Sequence, residues 1–128
     1  MLYAILCYDD EAAVCAWTKT QDEAVMERLG AVQRRLADEN KLGPVARLVP
    51  TTAAVTLRKG REELVLDGPF AETKEQLLGF YIVDMESLDE AVEAARELAR
   101  ANPSTGAYEI RPISIFLPTG APPKAMSS

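Results

Sequence analysis

The chain has 128 residues and a formal charge of −6, from 14 basic and 20 acidic side chains. That length suits one domain with a sizeable core, and the acidic balance with scattered basic residues argues against a nucleic-acid partner. Histidine is absent, which removes the usual general base near neutral pH and every Ser-His or Cys-His nucleophile pair.

Hydrophobic residues at 48% and charged residues at 27% fit an ordinary globular chain. Cys7 and Cys15 read as free thiols in a reducing compartment. With no CxxC and no histidine, no zinc site is expected. The acidic run Asp9-Asp10-Glu11 lacks the spacing of a calcium loop, so no metal and no cofactor is assigned.

Leu2 to Tyr8 reads as a first strand, apolar on both faces. It is too short to cross a bilayer and no basic segment precedes it, so we expect no membrane association and a cytoplasmic location. Ala12 to Thr18 has no clear period, though Trp17 is expected on the core. Thr20-Gln-Asp-Glu23 has capping-box spacing and predicts a helix start. Val25, Leu29, Val32 and Leu36 then form one apolar stripe. Asn40 to Gly43 supplies the stop.

Pro44 to Val49 predicts a second strand. Ala53 to Arg58 and Glu63 to Leu66 flank Lys59-Gly60-Arg61-Glu62 and predict a hairpin. Asp67-Gly68 is a turn dipeptide, and Pro69 stops any ladder. Phe70 is expected to pin this turn to the core. Leu77 to Asp84 is the next strand, with Leu78, Phe80 and Ile82 on one face and Tyr81 and Val83 on the other.

Ser87-Leu-Asp-Glu90 predicts a second capping box. Leu88, Ala91, Val92, Ala95, Leu98 and Ala99 continue as a helix stripe that stops at Asn102-Pro103. Tyr108 to Leu117 is the last strand, whose apolar phase changes at Arg111-Pro112 and predicts a bulge or bend there. Residues 118–128, rich in proline and serine, read as a flexible tail after a single domain over 1–117.

The stretch Asp67-Gly68-Pro69-Phe70, followed by Ala71-Glu72-Thr73-Lys74-Glu75-Gln76 and Gly79-Phe80-Tyr81, resembles the DGPF, or YCII-related, family of small bacterial proteins. The Tyr3 to Glu11 opening, Asp89-Glu90-Ala91 and Glu109-Ile110-Arg111-Pro112 fit as well. The resemblance implies an α+β fold: a ferredoxin-like βαββαβ unit with an added β-hairpin, an antiparallel sheet with both helices on one face, and pairing into a dimeric α+β barrel. It also implies association with an extracytoplasmic-function sigma factor. Some members of the family use a His-Asp pair, which a chain without histidine cannot reproduce.

Burial points the same way. The strands at Leu2 to Tyr8 and Leu77 to Asp84 are apolar on both faces, and two helices cover only one. A second copy, sheet against sheet, would cover the other; the rival is the hairpin folding over its own sheet.

Chemistry is expected at strand-end turns. Asp67 reads either as an acid or base with a raised pKa beside an apolar wall, or as the cap of its own turn. Glu72 is the second candidate acid or base. Thr73 and Lys74 suit an anionic ligand. Arg111 suits a ligand carboxylate or an internal acid such as Glu109 or Asp67. Phe70 and Tyr81 would wall the cleft, while Tyr3 and Tyr8 read as core residues with hydroxyls at an edge. The function read from this set is a small-molecule-binding or accessory and regulatory homodimer. The alternative is a cofactor-free lyase or isomerase working through Asp67 or Glu72.

Overall fold

The computed structural model describes residues 1–122. Strand β1 (Leu2–Asp10) leads into a short helix α1 (Glu11–Cys15) and a long helix α2 (Lys19–Asp38). Strand β2 (Leu42–Arg47), the hairpin strands β3 (Val55–Arg58) and β4 (Leu64–Asp67), and β5 (Glu75–Asp84) follow. Helix α3 (Leu88–Ala101) and strand β6 (Ala107–Pro112) complete it. The four-stranded sheet runs β2-β5-β1-β6 with every pair antiparallel. This is the ferredoxin-like order, and β3-β4 is a separate two-stranded sheet inserted before β5.

Side-chain alternation decides which residues meet the helices. Tyr3 and Ile5 of β1, and Tyr81 and Val83 of β5, point toward α2 and α3 and join one buried cluster. Helix α2 adds Val25, Leu29 and Leu36, as its stripe predicts, with Val32 and Trp17 packed alongside. Helix α3 buries Ala91, Ala94, Ala95, Leu98 and Ala101. Leu88 and Ala99 of the expected stripe lie exposed instead, because the helix is rolled so that its small residues meet the sheet. Leu98 and Ile5, both at 0% exposure, form the centre.

The helix boundaries correct two expectations. Thr18, not Thr20, caps α2: its hydroxyl accepts from the Gln21 N–H at 3.1 Å, and the Gln21 side chain accepts from the Thr18 N–H at 2.9 Å. Both positions offer the same four-residue spacing, and the end of α1 places the earlier one at the turn. At the second site Ser87 caps α3 through the Glu90 N–H at 3.2 Å. The Glu90 carboxylate takes the Glu86 N–H at 2.9 Å and Lys41 at 3.3 Å, so the reciprocal half of that box is replaced by a bridge to the end of α2. Asn40, with φ 58°, turns the chain out of α2.

The register irregularities lie elsewhere than Arg111-Pro112. One falls between Cys7 and Tyr8 of β1, where β5 carries the extra residue, and one between Leu42 and Val45 of β2, around Pro44. Strand β6 simply ends at Pro112, and the Ile113 N–H reaches back to the Leu2 carbonyl at 2.9 Å. Residues 118–122 are exposed, and the rest of the tail lies outside the described residues.

The opposite sheet face carries Leu2, Leu6, Phe80 and Ile82, so the strands are apolar on both sides as the sequence indicates. The hairpin does not roof it. Beyond the pairing of β3 with β4, the hairpin has no substantial packing on any other element. Val55, Leu57, Leu64, Val65 and Leu66 are all exposed. Phe70 follows them: it is 74% exposed, with the Arg58 guanidinium 5.2 Å from its ring centre. It therefore does not pin the turn to the core, because the hairpin that carries it stands off the sheet.

Candidate functional site

The residues nominated by sequence fall into four places. Asp67 ends β4 and is exposed; the turn after it is held by Gly68, whose φ of +104° suits glycine. The Gly68 N–H donates to the Ala54 carbonyl at 2.8 Å, and its carbonyl accepts the Thr56 hydroxyl at 2.8 Å. Backbone and Thr56 hold this turn, rather than the Asp67 carboxylate.

Glu72, Thr73 and Lys74 line an open polar groove against Asp10–Ala12 and Thr51–Thr52. Lys74 reaches Asp10 at 3.9 Å, while the Gln76 amide ties the loop by donating to the Ala71 and Thr73 carbonyls at 2.7 and 3.0 Å. Arg111 is exposed on β6 and pairs in register with Ala4, on the face away from the helices. Tyr81 lies under the helices. The fold thus gathers Glu72, Thr73 and Lys74, and leaves Asp67, Phe70, Tyr81 and Arg111 apart from them.

The three consecutive acids do three different things. Asp10 caps α1, accepting from the Ala12 and Ala13 N–H groups at 3.1 and 3.3 Å. Glu11 accepts the Thr51 N–H at 2.8 Å and the Thr51 hydroxyl, which ties α1 to the turn after β2. Asp9 alternates with Cys7 and Ile5, so it points under the helices and is 6% exposed.

There it borders a cavity of about 120 Å³ between the sheet, α1 and α2. Cys7, Trp17, Tyr81, Asn102 and Tyr108 share its wall, with aliphatic side chains of α2 closing it. The irregularity opposite Cys7 and Tyr8 lies on the same wall, where β5 contributes Leu78 and Gly79. Of this wall the sequence nominated Tyr81; Cys7, Asp9, Trp17, Asn102 and Tyr108 were missed as site residues. The available signal was an acid at an inward position of an otherwise apolar strand, hidden within a run that reads as a strand terminator.

Burial dominates the electrostatics of the cavity. It raises the Cys7 thiol to about 12, with the nearby Asp9 charge adding to the effect. Burial also raises Tyr81 and Tyr108, partly offset by Gln33 and Asn102. Cys7 therefore stays a neutral thiol near pH 7, whereas Cys15 is exposed. Iodoacetamide at pH 8 is expected to label Cys15 and spare Cys7 until the protein is unfolded; peptide mass mapping reads the difference.

The same shifts set a pH dependence. Unfolded Cys7 ionises from its ordinary value of 9.0, while folded Cys7 holds its proton to about 12. Stability is therefore intact below pH 9 and falls as pH rises from 9 toward 12, by up to about 1.4 kcal/mol per pH unit for one such group. Tyr81 and Tyr108 steepen the fall above their ordinary value of 10.0. Thermal melts across pH 8 to 11 are expected to show a flat limb and then a decline; a flat profile throughout would contradict the buried, neutral assignment.

The YCII-related domain matches residues 1–117, which takes in both the groove and the cavity wall. The chain belongs to the YCII-related family. An uncharacterised protein of Rhizobium meliloti (strain 1021) is similar at 62% identity over 123 residues, covering 95% of this chain and 99% of that one. Among the described residues of this YCII-related chain, no helix is long and apolar enough to cross a membrane.

Proposed function

We propose that this YCII-related chain is a small-molecule-binding protein that acts as a homodimer in an accessory or regulatory role. The observation that carries the binding reading is the cavity under α2, with a nine-tenths-buried carboxylate on its wall. A concave apolar chamber with a few convergent polar groups is the usual form of a ligand site. A buried carboxylate is costly unless something compensates it, so its presence argues for a ligand. Asp67 and Glu72 are exposed, which gives the alternative of a cofactor-free lyase or isomerase little support from their surroundings. The sigma-factor association rests on the family resemblance alone.

The dimer reading is supported by the hairpin. An isolated two-stranded hairpin is marginal in water, and this one exposes apolar residues on both of its faces. The sheet face away from the helices carries half-buried Leu2, Leu6 and Phe80 and the buried Ile82, beside Glu109 and Arg111 of β6. A two-fold pair lets each hairpin and sheet face find cover on the other chain. A thermal-shift screen against small metabolites tests the binding half, and light scattering tests the dimer. Failure of every ligand class to raise Tm overturns the first; a monomer at micromolar concentration overturns the second.

A further inference from the structure

The cavity wall carries one mostly buried carboxylate, Asp9, and one buried amide oxygen, that of Asn102. Asp9 is 6% exposed and forms no salt bridge among the described residues. Its one hydrogen bond there is from the neighbouring Asp10 N–H to Oδ1 at 2.8 Å. Asn102, which follows α3 and borders the same cavity, has its Oδ1 buried with no hydrogen-bond partner among the described residues. A buried acceptor left without a partner is destabilising, the more so when charged.

Among the described residues the wall has one cationic side chain, Arg47, and it is already engaged. Its guanidinium reaches Asp22 Oδ1 at 3.0 Å and Met26 Sδ at 3.5 Å. The remaining wall is mostly aromatic and aliphatic, with Trp17, Tyr81 and Tyr108 beside Gln33 and Cys7; aromatic rings are compatible neighbours for a cation. Burial keeps Cys7 and the two tyrosines in their neutral forms, which leaves Asp9 as the acidic side chain of this wall among the described residues.

Resting on the reading that this cavity is the binding place, we propose that its ligand is a compact primary alkylammonium ion, whose N–H groups donate to the Asp9 carboxylate. Size limits the class. A dry cavity of about 150 Å³ accepts benzene, so the space here, about 120 Å³ and partly open to solvent, holds roughly five or six non-hydrogen atoms of a ligand. The carboxylate anchors the ammonium head, and the alkyl part fills the space against α2.

The chain contains one tryptophan, Trp17, and it lies on the cavity wall, so its emission reports occupancy. The intact protein is titrated with tert-butylammonium, with its neutral counterpart tert-butanol, and with propionate as an anion. The expected result is a saturable emission change and a raised Tm with tert-butylammonium. Its affinity should exceed that of tert-butanol by about tenfold or more, the ratio of one charge-assisted contact. Propionate should have no effect. Asp9→Asn is expected to abolish that preference while leaving the far-UV circular dichroism unchanged; should this variant fail to fold, the ranking on the wild-type chain decides alone. Equal or stronger binding of tert-butanol or propionate overturns the cation assignment and leaves a binding pocket of another class. No response to any of the three overturns the assignment too. Only a metabolite screen that is also silent removes the binding reading itself.

Discussion

Placing two aspartates on the hairpin, Val65→Asp with Leu66→Asp, is expected to convert the sedimenting species from dimer to monomer. Val65 and Leu66 are 66% and 48% exposed on a single chain and lie on opposite faces of β4. Covering such a side chain contributes about 1.5–3 kcal/mol, and a carboxylate in its place must be desolvated without a partner. The pair should weaken association by about a thousandfold or more, equivalent to roughly 4 kcal/mol. Because neither residue packs into the core of its own chain, the circular dichroism of the double variant should match the wild type. Sedimentation velocity at micromolar concentration reads the outcome. An unchanged dimer would mean that the hairpin is not at the interface, and a wild-type monomer would remove the dimer altogether.

Gly106→Ala is the second large effect. Gly106 lies just before β6, against the end of β1. A Cβ added there would stand 2.0 Å from the Tyr8 carbonyl oxygen, 2.8 Å from Asp9 Cα and 2.9 Å from Asp9 Cγ. Two of these three atoms are backbone, so no side-chain rotation relieves the clash. Either β6 shifts off β1 or Asp9 is displaced from the cavity. Overpacking of this kind costs about 1–3 kcal/mol, and the backbone contact places this case at or beyond the upper end. We expect Tm to fall by about 10 °C and the ligand-induced change in Trp17 emission to vanish. Gly30→Ala is the control. Its Cβ meets only the flexible Arg34 Nη1 at 3.3 Å, inside α2, and the gain in helix propensity is up to about 1 kcal/mol. A Gly106→Ala protein as stable as the wild type would show that β6 does not approach β1 this closely.

Much of the fold was legible along the chain. The Val25, Leu29 and Leu36 stripe, the Asn40 stop, the Ser87 cap and the paired hairpin strands each follow from a few neighbouring residues. Such features depend on local backbone geometry and on a side-chain period of either 3.6 or 2. The Thr18 cap was misassigned by two residues because Thr20-Gln-Asp-Glu23 offers the same spacing, and only the preceding turn distinguishes them. The nominated site was less legible. Turn chemistry correctly marked where Asp67-Gly68-Pro69-Phe70 leaves the strand, yet it carried no information on how far that turn sits from the sheet.

The amino-acid order thus determined the element sequence, the two-faced apolar strands, the lack of histidine chemistry and the family signature, all properties of residues near one another in the chain. The tertiary structure alone decided that Cys7 and Asp9, Trp17, Tyr81, Asn102 and Tyr108 share one wall, and that the hairpin stands clear of its own sheet. Those outcomes depend on strand register and helix roll across some hundred residues of sequence. A one-residue change of register would turn Asp9 to the opposite face, and no local pattern records which register the packed core selects.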